Sequence, residues 1–269
     1  MSTLVLVGVG LIGGSFALAA RDHGLFDRIV GIDCNSAAVD EAKAAGVIDG
    51  AAIDDDPTAI CIAVPTGQIA DCVANMVTRH SGVTVFDVGS VKTPIIESLR
   101  ARGTLPSCYV PCHPIAGSEL RGVREARADM FKDRSIIITP VDETACTTVN
   151  IVVDWWRKIG GLVAECDPEK HDRIIAATSH LPHLLAFAFM EILADVDEAD
   201  LRTYIGTGFL DFSRIAGSDP LVWSDILQDN RESVRYWAEK LLKRVSIDAD
   251  KGVMKRRIER ARALRNKFS

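Results

Sequence analysis

Several things are missing from this 269-residue chain, and each absence narrows what it does. Its seven cysteines (34, 61, 72, 108, 112, 146 and 166) include no C-x-x-C pair and are odd in number, which argues against a zinc site and against a disulfide framework. Several lie in apolar runs such as Ile60-Cys61-Ile62, where cysteine serves as a small hydrophobe. A reducing compartment follows, so the expected location is cytoplasmic. There is no basic surplus: the formal net charge is −6, which disfavours nucleic acid as a partner. The one basic run, Lys251 to Lys267, reads as a solvated helix face. No apolar stretch reaches the roughly 18 residues of a membrane span, and the start lacks a basic n-region and cleavage site. Internal repeats, low-complexity linkers and hairpin signals are also absent.

What is present is an alternation of strands and helices. Thr3 to Val7 is a short apolar run that ends in a glycine-rich turn, and a helix follows that stops near Gly24. Arg28 to Asp33 reads as a second strand, and Ser36 is placed to cap the helix that ends at Gly46. Ile60 to Val64 and Val83 to Val88 are further strand-length runs with helical patterns behind them. Tyr109 to Pro111 and Ser135 to Thr139 look like two more strands. The alternation implies α/β architecture, a doubly wound Rossmann-type parallel sheet. Beyond about residue 167 only helical periodicity remains. Pro168 suits a first helical turn, and Ser218 is the expected N-cap of a helix running past Trp237. The expected division is a dinucleotide-binding domain over 1–167 and an all-helical substrate and dimerisation domain over 168–269.

The glycine turn reads Gly8-x-Gly10-x-x-Gly13. Gly8 permits the tight turn, Gly10 lets backbone approach a pyrophosphate, and Gly13 lets helix and strand pack closely. Asp33 follows about 20 residues on, placed to accept from a ribose 2′-hydroxyl. A carboxylate there repels a 2′-phosphate, so NAD is expected and NADP disfavoured. The expected cofactor-binding set is Gly8, Gly10, Leu11, Ile12, Gly13, Asp33, Val64, Pro65 and Gly89. Asp87-Val-Gly-Ser-Val-Lys follows a strand, which puts Ser90 at the nicotinamide end unless it merely caps a helix.

Cys112-His-Pro-Ile-Ala-Gly-Ser-Glu carries the base candidate. His113 titrates near neutrality without special tuning, which suits it to taking a hydroxyl proton, and activity is expected to fall as pH drops through the imidazole range. Further on, Asp172, Ser179 and His183 fall within about 40° of one another on an ideal helix. Pro182 should bend that helix. Histidines spaced i, i+3 offer two metal ligands and no obvious third, so no metal is expected. Arg214, between apolar neighbours, wants a planar anion, either Asp172 or a ligand carboxylate.

Taken together, Gly8-Val-Gly-Leu-Ile-Gly-Gly-Ser, Asp87-Val-Gly-Ser-Val-Lys, His113-Pro-Ile-Ala-Gly-Ser-Glu, Ser179-His-Leu-Pro-His and Ser213-Arg-Ile-Ala-Gly-Ser-Asp-Pro resemble the prephenate/arogenate (cyclohexadienyl) dehydrogenases of tyrosine biosynthesis. The resemblance implies NAD(P)-dependent oxidative decarboxylation of a cyclohexadienol, and a homodimer formed through the helical half. It also implies that His113 contacts the ring 4-hydroxyl, that Ser90 orients it, and that Arg214 holds a substrate carboxylate. His183, Ser118 and Glu119 would line the pocket, Asp172 would orient Arg214, and Trp223 would reach toward the neighbouring subunit's site. Three readings stay open: prephenate or arogenate oxidation, the related oxidation of 4-amino-4-deoxyprephenate, and a non-catalytic NAD-responsive protein.

Overall fold

Strand β1 (Thr3–Val7) is buried along its whole length, because it is covered on both faces. Leu4 and Leu6 point into a core with Phe16, Phe86 and Trp156, and Val5 and Val7 point into another with Ile60, Ile62 and Ile69. This period-two sharing explains why the strand reads as a continuous apolar run rather than an alternating one. The computed structural model describes residues 1–53, 56–103, 105–117, 120–245 and 247–268. In it β1 pairs in parallel with β2 (Arg28–Ile32) and β3 (Ala59–Ile62), which leads to β4 (Thr84–Asp87) and β5 (Tyr109–Val110) in the order β2-β1-β3-β4-β5. Helices α1 (Leu11–Asp22), α2 (Ser36–Ala44), α3 (Thr66–Arg79) and α4 (Thr93–Ala101) make the crossovers. Strand order reverses between β1 and β3, and ligands of such sheets bind outside the carboxyl ends of the strands at that point.

Beside the expected parallel sheet lies a second one that the alternation of strands and helices did not reveal. β6 (Cys112–Pro114), β7 (Ser135–Ile138) and β8 (Leu162–Glu165) form a second sheet in which β6 runs antiparallel to β7. Sequence reading missed β8 because it is an edge strand with two of its four residues polar or small and none buried. α5 (Cys146–Lys158) packs Trp156 edge-on against Phe16, Phe86 and Phe131, which fixes the second sheet against the first.

No strand follows β8 among the described residues. α6 (Pro168–Ile175) starts at Asp167, whose side chain accepts from the Lys170 N–H. A wide π-turn over Ala176–His180 joins it to α7 (Leu181–Ile192). The bend expected at Pro182 is absorbed in that turn, which lies just ahead of the proline. α8 (Glu198–Tyr204), α9 (Thr207–Ser213), α10 (Pro220–Asp229), α11 (Arg231–Leu242) and α12 (Lys251–Arg265) complete the chain. Two caps differ from expectation. Asn35, not Ser36, caps α2, and Asp219, not Ser218, caps α10 through the N–H groups of Leu221 and Val222. Each expected cap was one residue too far along or too early, and in both cases the side chain that reaches the free N–H groups is an Asx. The helix expected to run past Trp237 breaks at Asn230.

The expectation about apolar runs is also corrected. Pro168–Asp195 is continuous, 28 residues long and apolar enough by composition to cross a membrane. It nevertheless carries the buried pair His171 and Asp172, whose partners lie on α4 and β6. Ionisable groups so paired within the protein mark this as a helix packed on the sheet domain.

The glycine turn yields a test. Gly8 has φ +95°, and a Cβ there would stand 2.4 Å from the Ala63 carbonyl oxygen, whereas a Cβ on Gly10 meets nothing within 4 Å. Gly8→Ala should therefore lower stability by about 2 kcal/mol or more. Gly10→Ala should leave the melting temperature near wild type while weakening nucleotide binding. Thermal melts and a nucleotide titration of both variants check this pairing.

Candidate active site

The loop from β1 into α1 is held open for a ligand. Gly10 is the N-cap of α1 and supplies no side-chain cap, so the first amides of the helix are left for an anion. Gly13 packs so closely that a Cβ would lie 2.4 Å from the Gly8 carbonyl oxygen and 2.8 Å from the Ala63 Cβ. Asp33, just past β2, ties this turn down: it accepts from the Val9 N–H at 3.1 Å and from the Asn35 N–H at 2.9 Å. A cleft of about 280 Å³ begins here, lined by Gly10, Leu11, Ile12, Val64, Pro65 and Gly89 among others. Its far wall comes from Val222, Asp225 and Ile226 of α10, and the ion pair between Arg121 and Asp219 joins the two sides. Of the expected cofactor residues, Gly8, Gly13 and Asp33 shape the turn, and the rest line this cleft.

Ser90 lines this cleft and also a second cavity of about 510 Å³, where it meets His113, Ser179, His183, Arg214 and Trp223. Five of the expected substrate-side residues thus converge: Ser90, His113, His183, Arg214 and Trp223. Ser118 and Glu119 lie outside the described residues. A larger hollow of about 730 Å³ lies beside Gly82 and Cys108. Those residues precede β4 and β5, so it opens at the amino ends of the strands, the wrong end for a ligand of this fold.

The expectation for one residue changes. Asp172 does not line the cavity, and it is 3% exposed. Its carboxylate accepts from the Lys92 N–H at 2.9 Å, the Thr93 N–H at 2.8 Å and His171 Nδ1 at 2.8 Å, so its oxygens are committed to α4 and His171 rather than to orienting Arg214. The π-turn explains why an ideal helical count misled: it rotates Ser179 and His183 away from the phase of Asp172. Asp172 caps α4 from another helix, and that also disposes of Ser90 as its cap. Trp223 stacks on His183 with ring centroids 3.5 Å apart and planes 18° from parallel.

Behind the cavity is a buried network that sequence reasoning did not assemble. Lys92, fully buried, pairs through Nζ with Asp87 and donates to the Cys112 carbonyl oxygen at 2.6 Å, next to His113. Asp87 also accepts from Tyr109 Oη at 2.6 Å and from the Gly89 N–H at 2.7 Å. His113 Nδ1 lies 2.9 Å from His171 Nε2. The available signals were the adjacent His171-Asp172 pair and the lysine closing the Asp87 motif.

The electrostatics favour neutral imidazoles. Burial, with His171, Lys92 and His180 adding to it, pushes His113 well below the ordinary imidazole range. Burial lowers His180 to about 4 and lowers His183 as well, with Arg214 contributing at His183. Burial pushes the Asp172 carboxyl up, but hydrogen bonds from His171, Thr93 and Lys92 outweigh it and hold the group below its usual value. A carbonyl can only accept, so His183 Nδ1 donates to Ser179 O at 2.8 Å and its Nε2 stays unprotonated.

A nucleotide-binding turn opening through one shared serine onto a histidine- and arginine-lined cavity defines a nucleotide-dependent dehydrogenase. Comparison with known proteins is specific. Residues 16–165 match the family model "Prephenate dehydrogenase, nucleotide-binding domain", and residues 167–258 match "Prephenate dehydrogenase, dimerization domain". The chain belongs to the prephenate dehydrogenase family. It is 30% identical over 239 residues to the cyclohexadienyl dehydrogenase of Zymomonas mobilis, covering 84% of this chain and 80% of that one. It is 32% identical to the prephenate dehydrogenase of Bacillus subtilis, covering 86% of this chain but 65% of the longer relative. The crystal structure of A. aeolicus prephenate dehydrogenase with hydroxyphenyl propionate and NAD+ superposes with TM-score 0.88 at 32% identity, over 100% of this chain and 97% of that one. Synechocystis arogenate dehydrogenase shares the fold at TM-score 0.79 and 23% identity.

Buried histidines kept neutral leave a mark on stability. His113 and His180 titrate lower in the folded than in the unfolded chain, so the unfolded state binds more protons once pH falls below about 6.5. Stability should therefore be full above that pH and decline as pH falls toward the His180 value of about 4, with His180 alone contributing about 3 kcal/mol at the acid end. Denaturant unfolding between pH 7.5 and about 4.5 measures this, and a flat profile contradicts it.

Proposed function

We propose that the protein catalyses the NAD-dependent oxidative decarboxylation of a cyclohexadienol, prephenate or its amine counterpart arogenate, as a step in making tyrosine. The observation that carries this reading is His113, a neutral imidazole beside Ser90 where the nucleotide cleft meets the Arg214 cavity. The cradle fits a dinucleotide on its own geometry: open space at Gly10, uncapped first amides of α1, and Asp33 at the end of β2. Gly10, Leu11 and Ile12 would hold the pyrophosphate, and Asp33 would accept from the ribose 2′-hydroxyl, favouring NAD over NADP. Bound NAD supplies the hydride acceptor.

The chain's own residues do the rest. His113 accepts the proton of the ring 4-hydroxyl, with Ser90 orienting that hydroxyl. Arg214, which lines the cavity, binds a substrate carboxylate. His183 is held by Ser179 and by stacking on Trp223, and it presents an unprotonated Nε2 as an acceptor. Loss of CO₂ makes the ring aromatic and drives the reaction, and the phenolate it leaves takes back the proton that His113 removed, so no further acid has to be supplied. The presence of both His113 and Arg214 favours this enzyme reading over a non-catalytic NAD-responsive protein.

The helical half supports a homodimer. α7 buries only Leu181 and Ala186 within the chain, while Met190, Ile192, Leu210, Phe212 and Leu221 are exposed. So much uncovered apolar surface calls for a second copy packed about a two-fold axis. Light scattering at sub-micromolar concentration should give a dimer, and a fully active monomer near 29 kDa would refute it.

Steady-state rates of NAD reduction with prephenate and with arogenate, side by side, test the activity, and no turnover of either sinks it. His113→Asn should lower kcat by at least about a hundredfold. Arg214→Gln should chiefly raise KM, because anion binding is shared by ground and transition states. The acid limb of wild-type kcat/KM should lie well below the ordinary imidazole value of about 6.5, not at it. That revises the dependence expected of an untuned histidine, because burial keeps His113 neutral.

A further inference from the structure

Three side chains stand in line behind the cavity: His113 Nδ1 is 2.9 Å from His171 Nε2, and His171 Nδ1 is 2.8 Å from Asp172 Oδ1. The two rings meet edge to face, with centroids 5.1 Å apart and planes at 71°. His171 is 2% exposed and Asp172 3%, and neither lines the cavity. The hydrogen positions follow from what each group can do. Asp172 is an ionised acceptor that already takes the Lys92 and Thr93 N–H groups, so the hydrogen shared with His171 sits on the imidazole Nδ1. A neutral His171 then has a bare Nε2, which can only accept. His113 must donate to it from Nδ1, and the His113 Nε2 lone pair is the one left for the cavity.

We propose that His171, backed by Asp172, is the positioning residue that locks His113 in its Nδ1–H tautomer and receives that proton when His113 acts as base. This rests on His113 being the base of the proposed reaction. In the step itself, the substrate O–H bond breaks and its proton bonds to His113 Nε2. The His113 Nδ1–H bond breaks and that proton bonds to His171 Nε2. The C–H electron pair leaves the same substrate carbon as hydride for the nicotinamide. His113 ends neutral, and the positive charge sits on His171 against the Asp172 carboxylate. The site resets when loss of CO₂ leaves a phenolate oxygen, which takes the proton back from His113 Nε2 while His171 returns one to Nδ1, so no net proton is released per turnover. The arrangement suits the surroundings of His113, where Lys92 on α4 and His180 on the π-turn would repel a cation lodged on its own ring.

Asp172 is itself rigid, since Asn230 Nδ2 donates to its backbone carbonyl at 2.8 Å while bridging to His180 Nδ1 at 3.1 Å. The relay is therefore anchored from α4, from α6 and from the start of α11.

Nitrogen NMR of histidine-labelled wild-type protein at neutral pH reads the tautomer directly and needs neither substrate nor variant. We expect His113 protonated at Nδ1 and bare at Nε2; a hydrogen on His113 Nε2 overturns the proposal. In kinetics, His171→Leu removes the acceptor and should lower kcat by about a hundredfold with KM unchanged. His171→Gln can place Oε1 where Nε2 was, and should recover about tenfold of that loss. Equal losses in the two variants, or a His171→Leu kcat within about twofold of wild type, overturn it as well. Should His171→Leu not fold, the wild-type tautomer decides alone. If wild type oxidises neither cyclohexadienol, the reaction assignment fails while the tautomer still reports on the relay.

Discussion

Lys92 is the residue on which the geometry of the site depends. Its ammonium group has no exposure and neutralises Asp87, which ends β4, while also holding the Cys112 carbonyl oxygen beside His113. Its backbone N–H anchors Asp172 of α6. One residue therefore ties the sheet that carries the nucleotide turn, the strand that carries His113 and the helix that carries His171 and Asp172. Removing one member of a buried pair typically costs about 3–5 kcal/mol, because the other charge is left uncompensated. Here Tyr109 Oη and the Gly89 N–H also depend on the same Asp87 carboxylate. A network satisfied at this many points holds its members to one arrangement.

That rigidity has a chemical use. A base must meet its proton at hydrogen-bond distance with the correct nitrogen forward, and an imidazole free to flip offers the wrong one part of the time. Strand β6 fixes the backbone of His113, and His171 fixes its ring. Burial meanwhile keeps the ring neutral, so in the proposed reaction it can take a proton without setting a second cation in the cavity that Arg214 lines. Ser90 sits at the single place where cleft and cavity meet, and the proposed reaction needs proton and hydride to leave adjacent atoms of one substrate there.

Much of this was legible in the residues. Gly8, Gly10 and Gly13 each carry a distinct steric demand, and the structure gives each a different answer: left-handed backbone, open space and close packing. The buried runs of β1 and β3 announced a sheet covered on both faces. The cavity gathers His113, Ser90, His183 and Arg214 because each stood in a motif at the end of a strand or on the inner side of a helix. What could not be read was long-range. Asp172 looked like a partner for Arg214 and a neighbour of Ser179 and His183 on an ideal helix, but a π-turn intervenes between them and its carboxylate caps α4, 80 residues away in sequence from Lys92. β8 was invisible because an edge strand without buried side chains has no pattern. The caps at Asn35 and Asp219 were misplaced by one residue because neighbouring Ser, Asn and Asp compete for the same free amides.

The proposed function requires one site to bring a nicotinamide, a cyclohexadienol carbon and His113 Nε2 together at Ser90. A crystal structure of this protein with NAD and a hydroxyphenyl product analogue tests it most directly. The nicotinamide is expected beside Ser90, the phenol oxygen within about 3 Å of His113 Nε2, and the analogue's carboxylate on Arg214. A phenol oxygen facing His113 Nδ1, or an analogue seated away from Ser90 and Arg214, would contradict it.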